Sequence, residues 1–236
     1  LRTEVQIVIF CHMGNCFVLH AKIMKKSELS KSFLLKKHSD KITVDIIEMQ
    51  QCSRYAFDNT ECILVVGGDG TLLRVAQDTA EKDIPIIGIN IGHLGFLAEV
   101  DLVNLDDAME RLINEQYHIE ERMMLDGFND KLRISSLNDV VLSRRMDLQI
   151  VGYRVSVNGQ HLKDYFADGI IISTPTGSTG YNMSAGGSIV EPNAKLIVLT
   201  PVCPHTLNTR SIILSAEDVI EVEILPSSGD KPVDVG

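Results

Sequence analysis

The sequence predicts an α/β N-terminal domain with a mostly parallel sheet, followed by an antiparallel, β-rich C-terminal domain. Three observations carry that expectation. Up to about residue 115, apolar runs of strand length alternate with helix-like patterns. One of these runs enters a helix pattern through a turn of three glycines around an acid, Gly67-Gly68-Asp69-Gly70-Thr71. Past residues 115–121 the apolar period drops from 3.6 to 2, and an Asn158-Gly159 pair separates two alternating runs, a strong hairpin signal. The domains that follow are 1–118 and 119–236.

In chain order, Val5 to Phe10 reads as a buried first strand of a parallel sheet. Phe17 to Leu35 reads as one helix with an exposed face, its lysines too scattered to form an anion patch. Ile42 to Ile47 is a second strand, and Gln50 to Asn59 a polar loop. Cys62 to Val66 is a third strand, ending in the glycine turn. Thr71 is the expected N-cap of a helix running to about Ala80. Pro85 to Asn90 completes a βαβ unit. Asn104 precedes Leu105, Ala108, Met109, Leu112 and Ile113, the spacing of a capped amphipathic helix. Tyr117, Ile119 and Glu121 then alternate with polar neighbours and open the antiparallel half. Strands follow at Val140–Leu142, Tyr153–Val157, the return from Gly159 to Phe166, Ile170–Ile172, Leu196–Leu199 and Val219–Leu225.

Composition narrows the class. The 236 residues are 44% hydrophobic and 23% charged, ordinary values for a soluble globular protein. With 22 basic against 32 acidic residues the net charge is -10, so the basic excess of a general nucleic-acid binder is missing. No apolar stretch has the length of a membrane span. Five cysteines, an odd number without paired spacing, fit a reducing cytoplasm. Cys11-His12-Met13-Gly14-Asn15-Cys16 lacks a second ligand pair and reads as apolar cysteines near a strand end rather than a metal site.

Chemistry concentrates in four places. Amides free of side chains and a helix start make the glycine turn an anion-binding geometry. Asp69 would repel that anion unless it holds a metal ion or removes a proton, which points to phosphoryl transfer. The plainer alternative is a glycine-rich turn with an incidental acid. The loop Asn90 to Phe96 leaves the next strand end, where it can face the same crevice; taken by itself, Phe96 reads as a core residue under that loop. Asn138 and Asp139 open a strand with an amide that donates and accepts and an acid that can accept two ribose hydroxyls, or else they form an Asx turn. Asp168 to Gly187 runs a strand into a loop of hydroxyls and glycines suited to a flat polar ligand, with the Tyr181 ring to pack on it. Neither a Gly-x-x-x-x-Gly-Lys-Ser/Thr loop nor a Gly-x-Gly-x-x-Gly is present, which argues against P-loop and dehydrogenase folds.

Together, Gly67-Gly68-Asp69-Gly70-Thr71, Asn138-Asp139, Asp168 to Gly187, and Pro204-His205-Thr206-Leu207 with Arg210 resemble the NAD kinase family. The glycine turn alone is shared with sugar and lipid kinases, and Thr174-Pro175-Thr176-Gly177-Ser178-Thr179-Gly180-Tyr181 supplies the discrimination. The resemblance implies transfer of the γ-phosphoryl group of ATP, or of polyphosphate, to the 2′-hydroxyl of the adenosine ribose of NAD, with a divalent ion, Mg²⁺. It makes Asp69 the group that deprotonates or orients that hydroxyl and organises Mg²⁺, with Gly67, Gly68, Gly70 and Thr71 around the phosphates. It gives Asn138, Asp139, Thr179, Tyr181 and Ser184 to the dinucleotide, Phe96 to adenine, Asp168 to the nicotinamide end, and the backbones of Gly180 and Ala194 to further contacts. Gly180 stands where the family often carries alanine. A homo-oligomer, dimer or tetramer, with no nucleic-acid or membrane partner, is also implied. The rivals are a lipid or sugar kinase using the same turn and a non-catalytic dinucleotide sensor.

Overall fold

The computed structural model describes residues 6–9, 17–21, 44–47, 60–91, 95–98, 100–129, 133–144, 151–206, 209–225 and 233–235. The chain divides into two compact units, Leu1–Arg122 and Met123–Gly236.

The first unit is built on a seven-stranded sheet. Its strands are β1 (Gln6–Ile9), β2 (Phe17–Ala21), β3 (Val44–Ile47), β4 (Cys62–Gly67), β5 (Ile86–Asn90), β6 (Val100–Asp101) and β7 (His118–Glu121). The spatial order is β3-β2-β4-β5-β1-β7, with β6 also on β5. β3, β2, β4 and β5 run parallel. Helix α1 (Asp69–Thr79) connects β4 to β5, and α2 (Leu105–Ile113) precedes β7. All six residues of β4 and all five of β5 are buried, the continuous apolar reading expected of a parallel sheet covered on both faces. Leu64, Val66, Ile87 and Ile89 pack with Leu105, Ala108, Met109 and Leu112, the face of α2 that the apolar spacing marks out. Cys62 belongs to this cluster, and burial pushes its thiol well above the ordinary range, so it acts as a small apolar side chain.

Several expectations change. Phe17–Ala21 is a strand, not the start of a helix, because it has a parallel ladder on each side, Phe17 opposite both Val44 and Cys62. The rest of the expected helix lies outside the described residues, as do Cys11 to Cys16 and the loop from Gln50 to Asn59. β1 pairs antiparallel with β5 and parallel with β7, so it is only half a parallel strand. The run from Tyr117 does not open the antiparallel half: His118–Glu121 pairs parallel with β1. Asn104 holds the cap position of α2 but makes no side-chain capping bond, since a short 3₁₀ turn, Leu102–Asn104, leads into the helix. Thr71 does not cap α1 either. Gly68 takes that position and Thr71 is buried inside the first turn.

Among the described residues, every strand pairing in the second unit is antiparallel. β8 (Leu125–Phe128) and β9 (Arg133–Ser136) form one hairpin. β10 (Asp139–Arg144), β13 (Gly169–Ser173), β14 (Leu196–Val202), β15 (Ile212–Ser215) and β17 (Val233–Val235) form a sheet in the order β15-β14-β13-β10-β17. β11 (Val151–Val157), β12 (Gln160–Ala167) and β16 (Ile220–Leu225) form a third, with β11 central. The β11–β12 turn is Asn158-Gly159, both left-handed at φ 52° and 75°, which is the geometry that makes Asn-Gly a hairpin signal. Tyr153, Val155, Tyr165, Ile170 and Leu199 pack together as the core of this unit.

Because Leu64 is 1% exposed in the core of the first unit, Leu64→Ala should cost about 2–5 kcal/mol, through lost burial and the cavity left behind. Urea unfolding of the two proteins measures this, and a change below about 1 kcal/mol would show a loosely packed site.

Candidate functional site

In the first unit, β4 delivers the chain to Gly67 and α1 begins at Asp69. Gly68 is extended, φ -101° and ψ -178°, and its carbonyl accepts the N–H groups of Thr71 (2.9 Å) and Leu72 (3.3 Å). A Cβ on Gly67 would fall 2.7 Å from the Thr71 side chain, so that glycine is required by packing. Gly68 and Gly70 differ. A Cβ on either meets nothing within 4 Å, and neither has positive φ, so the chain's own packing and backbone leave room for a side chain there. What the missing side chains provide is open access to the backbone at a helix N-terminus, the requirement for an anion.

The Asp69 carboxylate is held by the loop after β5. Its Oδ2 accepts the Phe96 N–H at 2.8 Å, and its Oδ1 accepts the N–H groups of Leu97 and Ala98 at 3.2 and 3.3 Å. Parallel pairing of β4 and β5 places Gly67 opposite Asn90, so the turn and the loop after β5 leave the sheet at one edge. The Phe96 ring is 74% exposed, so it is not the core residue that its apolar character also allowed. These charge-assisted bonds fix the carboxylate's orientation and occupy three of its roughly four lone-pair positions, leaving one on Oδ2. Among the described residues no group of three or more His, Cys, Asp or Glu is arranged to hold a metal ion.

In the second unit the loop after β13 forms a 3₁₀ turn, Thr176–Thr179, and a single helical turn, Tyr181–Ser184. The loop is locked to the segment before β10. Thr174 donates through its N–H to the Asn138 carbonyl (2.8 Å) and through its hydroxyl to the Leu137 carbonyl (2.6 Å), and accepts the Gly177 N–H (3.0 Å). A Cβ on Gly177 would fall 2.1 Å from the Asn138 carbonyl oxygen, so only glycine permits this approach. From the Cβ position of Gly180, Asn138 Nδ2 is 3.6 Å away and Asp139 Oδ2 4.0 Å. Asn138, Asp139 and Gly180 therefore form one cluster, with Thr179 and the half-exposed Tyr181 as chain neighbours of Gly180. The turn at Asn138-Asp139 is closed by the Ser136 hydroxyl, which accepts the Asp139 N–H at 3.2 Å.

Other expected residues lie apart. Asp168 precedes β13, at the opposite end of the ladder that pairs Asp139 with Ser173; five residues separate these ends, about 16 Å at the usual strand rise. There Asp168 holds Arg144 in a two-pronged ion pair, Oδ1 to Nε at 3.1 Å and Oδ2 to Nη2 at 3.3 Å. Ser184 closes the helical turn on the Gly180 carbonyl, and Ala194 donates its N–H to Glu191. His205 donates its N–H to the Phe166 carbonyl, and Thr206 and Thr209 share a hydroxyl bond, while Leu207 lies outside the described residues.

Two residues were not singled out from the sequence. Asn182 is fully buried, donates to the Ser178 and Ser188 carbonyls and accepts the Thr200 hydroxyl, so it holds the loop's shape. The Thr176 hydroxyl oxygen is buried without a hydrogen-bond partner, a deficit of about 1–3 kcal/mol that a polar ligand group would recover. Only its place in the hydroxyl run marks Thr176 in the sequence.

Burial pushes the Asp139 carboxyl above its ordinary range. The folded state then holds that proton more tightly than the unfolded state, and stability falls as pH rises from the unfolded value through the folded one. Asp139→Asn should accordingly raise the thermal midpoint at pH 7, with the gain shrinking toward acid pH where both forms are neutral. Calorimetry at the two pH values checks it; an equal or lower midpoint at pH 7 would contradict it.

Comparison with known proteins matches both units. The model for the ATP-NAD kinase N-terminal domain matches residues 2–117, and that for the ATP-NAD kinase C-terminal domain matches residues 137–234. The NAD kinase of Lachnospira eligens is 50% identical over 172 residues, 71% of this chain and 59% of that protein. The NAD kinase of Lachnoclostridium phytofermentans is 48% identical over 176 residues, 72% of this chain and 62% of that protein. The chain thus spans about three fifths of the length of these curated relatives. Among solved structures, an NAD kinase from Archaeoglobus fulgidus in complex with ATP has a TM-score of 0.73 at 26% identity, covering 89% of this chain and 80% of that one. Yeast NADH kinase complexed with NADH shares the fold at a TM-score of 0.76 and 23% identity, covering 94% of this chain and 73% of that one. With both domain models matched in order along the chain and close relatives of one name, the chain belongs to the NAD kinase family.

Proposed function

We propose that this protein transfers the γ-phosphoryl group of ATP to the 2′-hydroxyl of the adenosine ribose of NAD, producing NADP. The observation that carries the reading is the oriented carboxylate of Asp69 in a turn whose Gly68 and Gly70 leave the backbone open. Relatives named NAD kinase, and the likeness to an NAD kinase solved with ATP, support the acceptor and the donor. Polyphosphate is a second donor of the same chemistry.

In this reading the amides of the turn and the helix start receive donor phosphate oxygens. Asp69 takes the proton of the 2′-hydroxyl through the lone pair left on Oδ2. The hydroxyl oxygen then forms the new bond to the γ-phosphorus, and the bond from that phosphorus to the bridging oxygen breaks, its electron pair leaving with ADP. Positioning and charge stabilisation supply most of the rate in such transfers. Among the described residues no further His, Cys, Asp or Glu joins Asp69 to make a metal site; Mg²⁺ would arrive on the donor's phosphates, with Asp69 helping to organise it.

The second unit is the dinucleotide-binding half. Asn138 and Asp139 recognise the adenosine, the latter through ribose hydroxyls, while Thr176, Thr179, Gly180, Tyr181, Ser184 and Ala194 line the ligand. Asp168, at the far end of β13, serves the nicotinamide end of an extended dinucleotide. A homo-oligomer follows by family analogy. No helix of the described residues is long and apolar enough to cross a membrane. The free thiols of Cys62 and Cys203 fit a cytoplasmic setting.

Incubation with NAD, ATP and Mg²⁺ should form NADP, read with an NADP-specific dehydrogenase, and Asp69→Asn should keep dinucleotide binding while losing turnover by about 10²-fold or more. Tight NAD binding with no NADP from folded wild-type protein, with either donor, would instead identify a sensor. Wild-type turnover in Asp69→Asn would remove the acid from the chemistry.

A further inference from the structure

We propose that Gly95 is a positioning residue for the transfer, acting through Asp69 by letting the amides of Phe96, Leu97 and Ala98 close around its carboxylate. The inference rests on the phosphoryl-transfer reading above.

A Cβ on Gly95 would lie 2.2 Å from Asp69 Oδ1, 2.5 Å from Cγ and 2.6 Å from Oδ2, closer than any non-bonded contact allows. Either the carboxylate or the loop would have to move. The loop has little freedom to do so, because its other end is seated on β5: a Cβ on Gly88 would fall 2.8 Å from the Ala98 Cα and 2.7 Å from Leu72 Cδ1. Two glycines thus hold the segment 95–98 in place, one against the sheet and one against the acid. Between them, three consecutive N–H groups converge on two oxygens, at 2.8, 3.2 and 3.3 Å. The geometry leaves Oδ1 saturated and Oδ2 with a lone pair in a fixed direction. An acid whose task is to meet one hydroxyl gains from that, since misplacement by about 1 Å can cost 10²-fold in rate. In Asp69→Asn the amide NH₂ would face an N–H donor, so that variant loses the cradle together with the charge.

Gly95→Ala should lower kcat for NADP formation by about 10²-fold, with KM for NAD and calorimetric NAD binding little changed. Placed in the Asp69→Asn background, Gly95→Ala should cause no further loss, because both changes act on one group. Independently of turnover, amide hydrogen exchange should show Phe96, Leu97 and Ala98 protected in the wild type and exchanging about tenfold faster or more in Asp69→Ala. The exchange measurement decides the cradle even if no NADP forms or if Gly95→Ala fails to fold. Near wild-type kcat in folded Gly95→Ala, an equal loss in the Asp69→Asn background, or unchanged exchange in Asp69→Ala would each overturn the inference.

Discussion

The hydrogen bonding of the Asp69 carboxylate to three successive backbone amides is the constraint on which the first unit's chemistry depends. It joins two loops that are separate in sequence, the glycine turn after β4 and the segment after β5. Parallel pairing of buried strands brings those loops to one sheet edge, and the missing side chain at Gly95 lets them touch. Sheet register therefore decides where the acid points, and the buried cluster of Leu64, Val66, Ile87 and Ile89 maintains that register. Gly68 and Gly70 have no such duty to the fold, which is why their openness speaks for a ligand.

The second unit reaches a comparable result by other means. Its loop is held by carbonyl and hydroxyl groups, with Thr174 and Asn182 both buried and bonded. Within that loop and the turn before β10, the partnerless hydroxyl of Thr176 and the carboxyl of Asp139, whose charged form burial disfavours, are locally unfavourable, as is the buried Tyr165 hydroxyl in the core of the same unit. In the proposed function, a polar ligand would compensate Thr176 and Asp139. Local cost of this kind at a site, carried by a well-packed core elsewhere, is the usual compromise between stability and function.

Much of the fold was readable from periodicity. The apolar runs at Cys62–Val66 and Pro85–Asn90, the spacing of Leu105 to Ile113, and Asn158-Gly159 all carry their structure in local pattern. The errors have physical causes. Phe17–Ala21 owes its strand to neighbours on either side, and His118–Glu121 to a partner more than a hundred residues away. Thr71 and Asn104 have the chemistry of caps, yet chain geometry gives one cap position to Gly68 and leaves the other without a side-chain bond. At the site, residue types announced an acid beside an anion turn, but nothing local to Phe96, Leu97 and Ala98 says that their amides are its partners. Asn182 was hidden for the same reason, since its importance lies in its contact to Thr200.

In the proposed function, this oriented acid serves transfer to one ribose hydroxyl of NAD. Phosphorus NMR of the product formed from NAD and ATP tests it most directly, because it reads the position of the new bond as well as its existence. One new phosphomonoester resonance should appear, coupled to the 2′-hydrogen of the adenosine ribose and missing from the Asp69→Asn reaction. A phosphate on any other hydroxyl, or the same product at an unchanged rate without the Asp69 carboxylate, would contradict it.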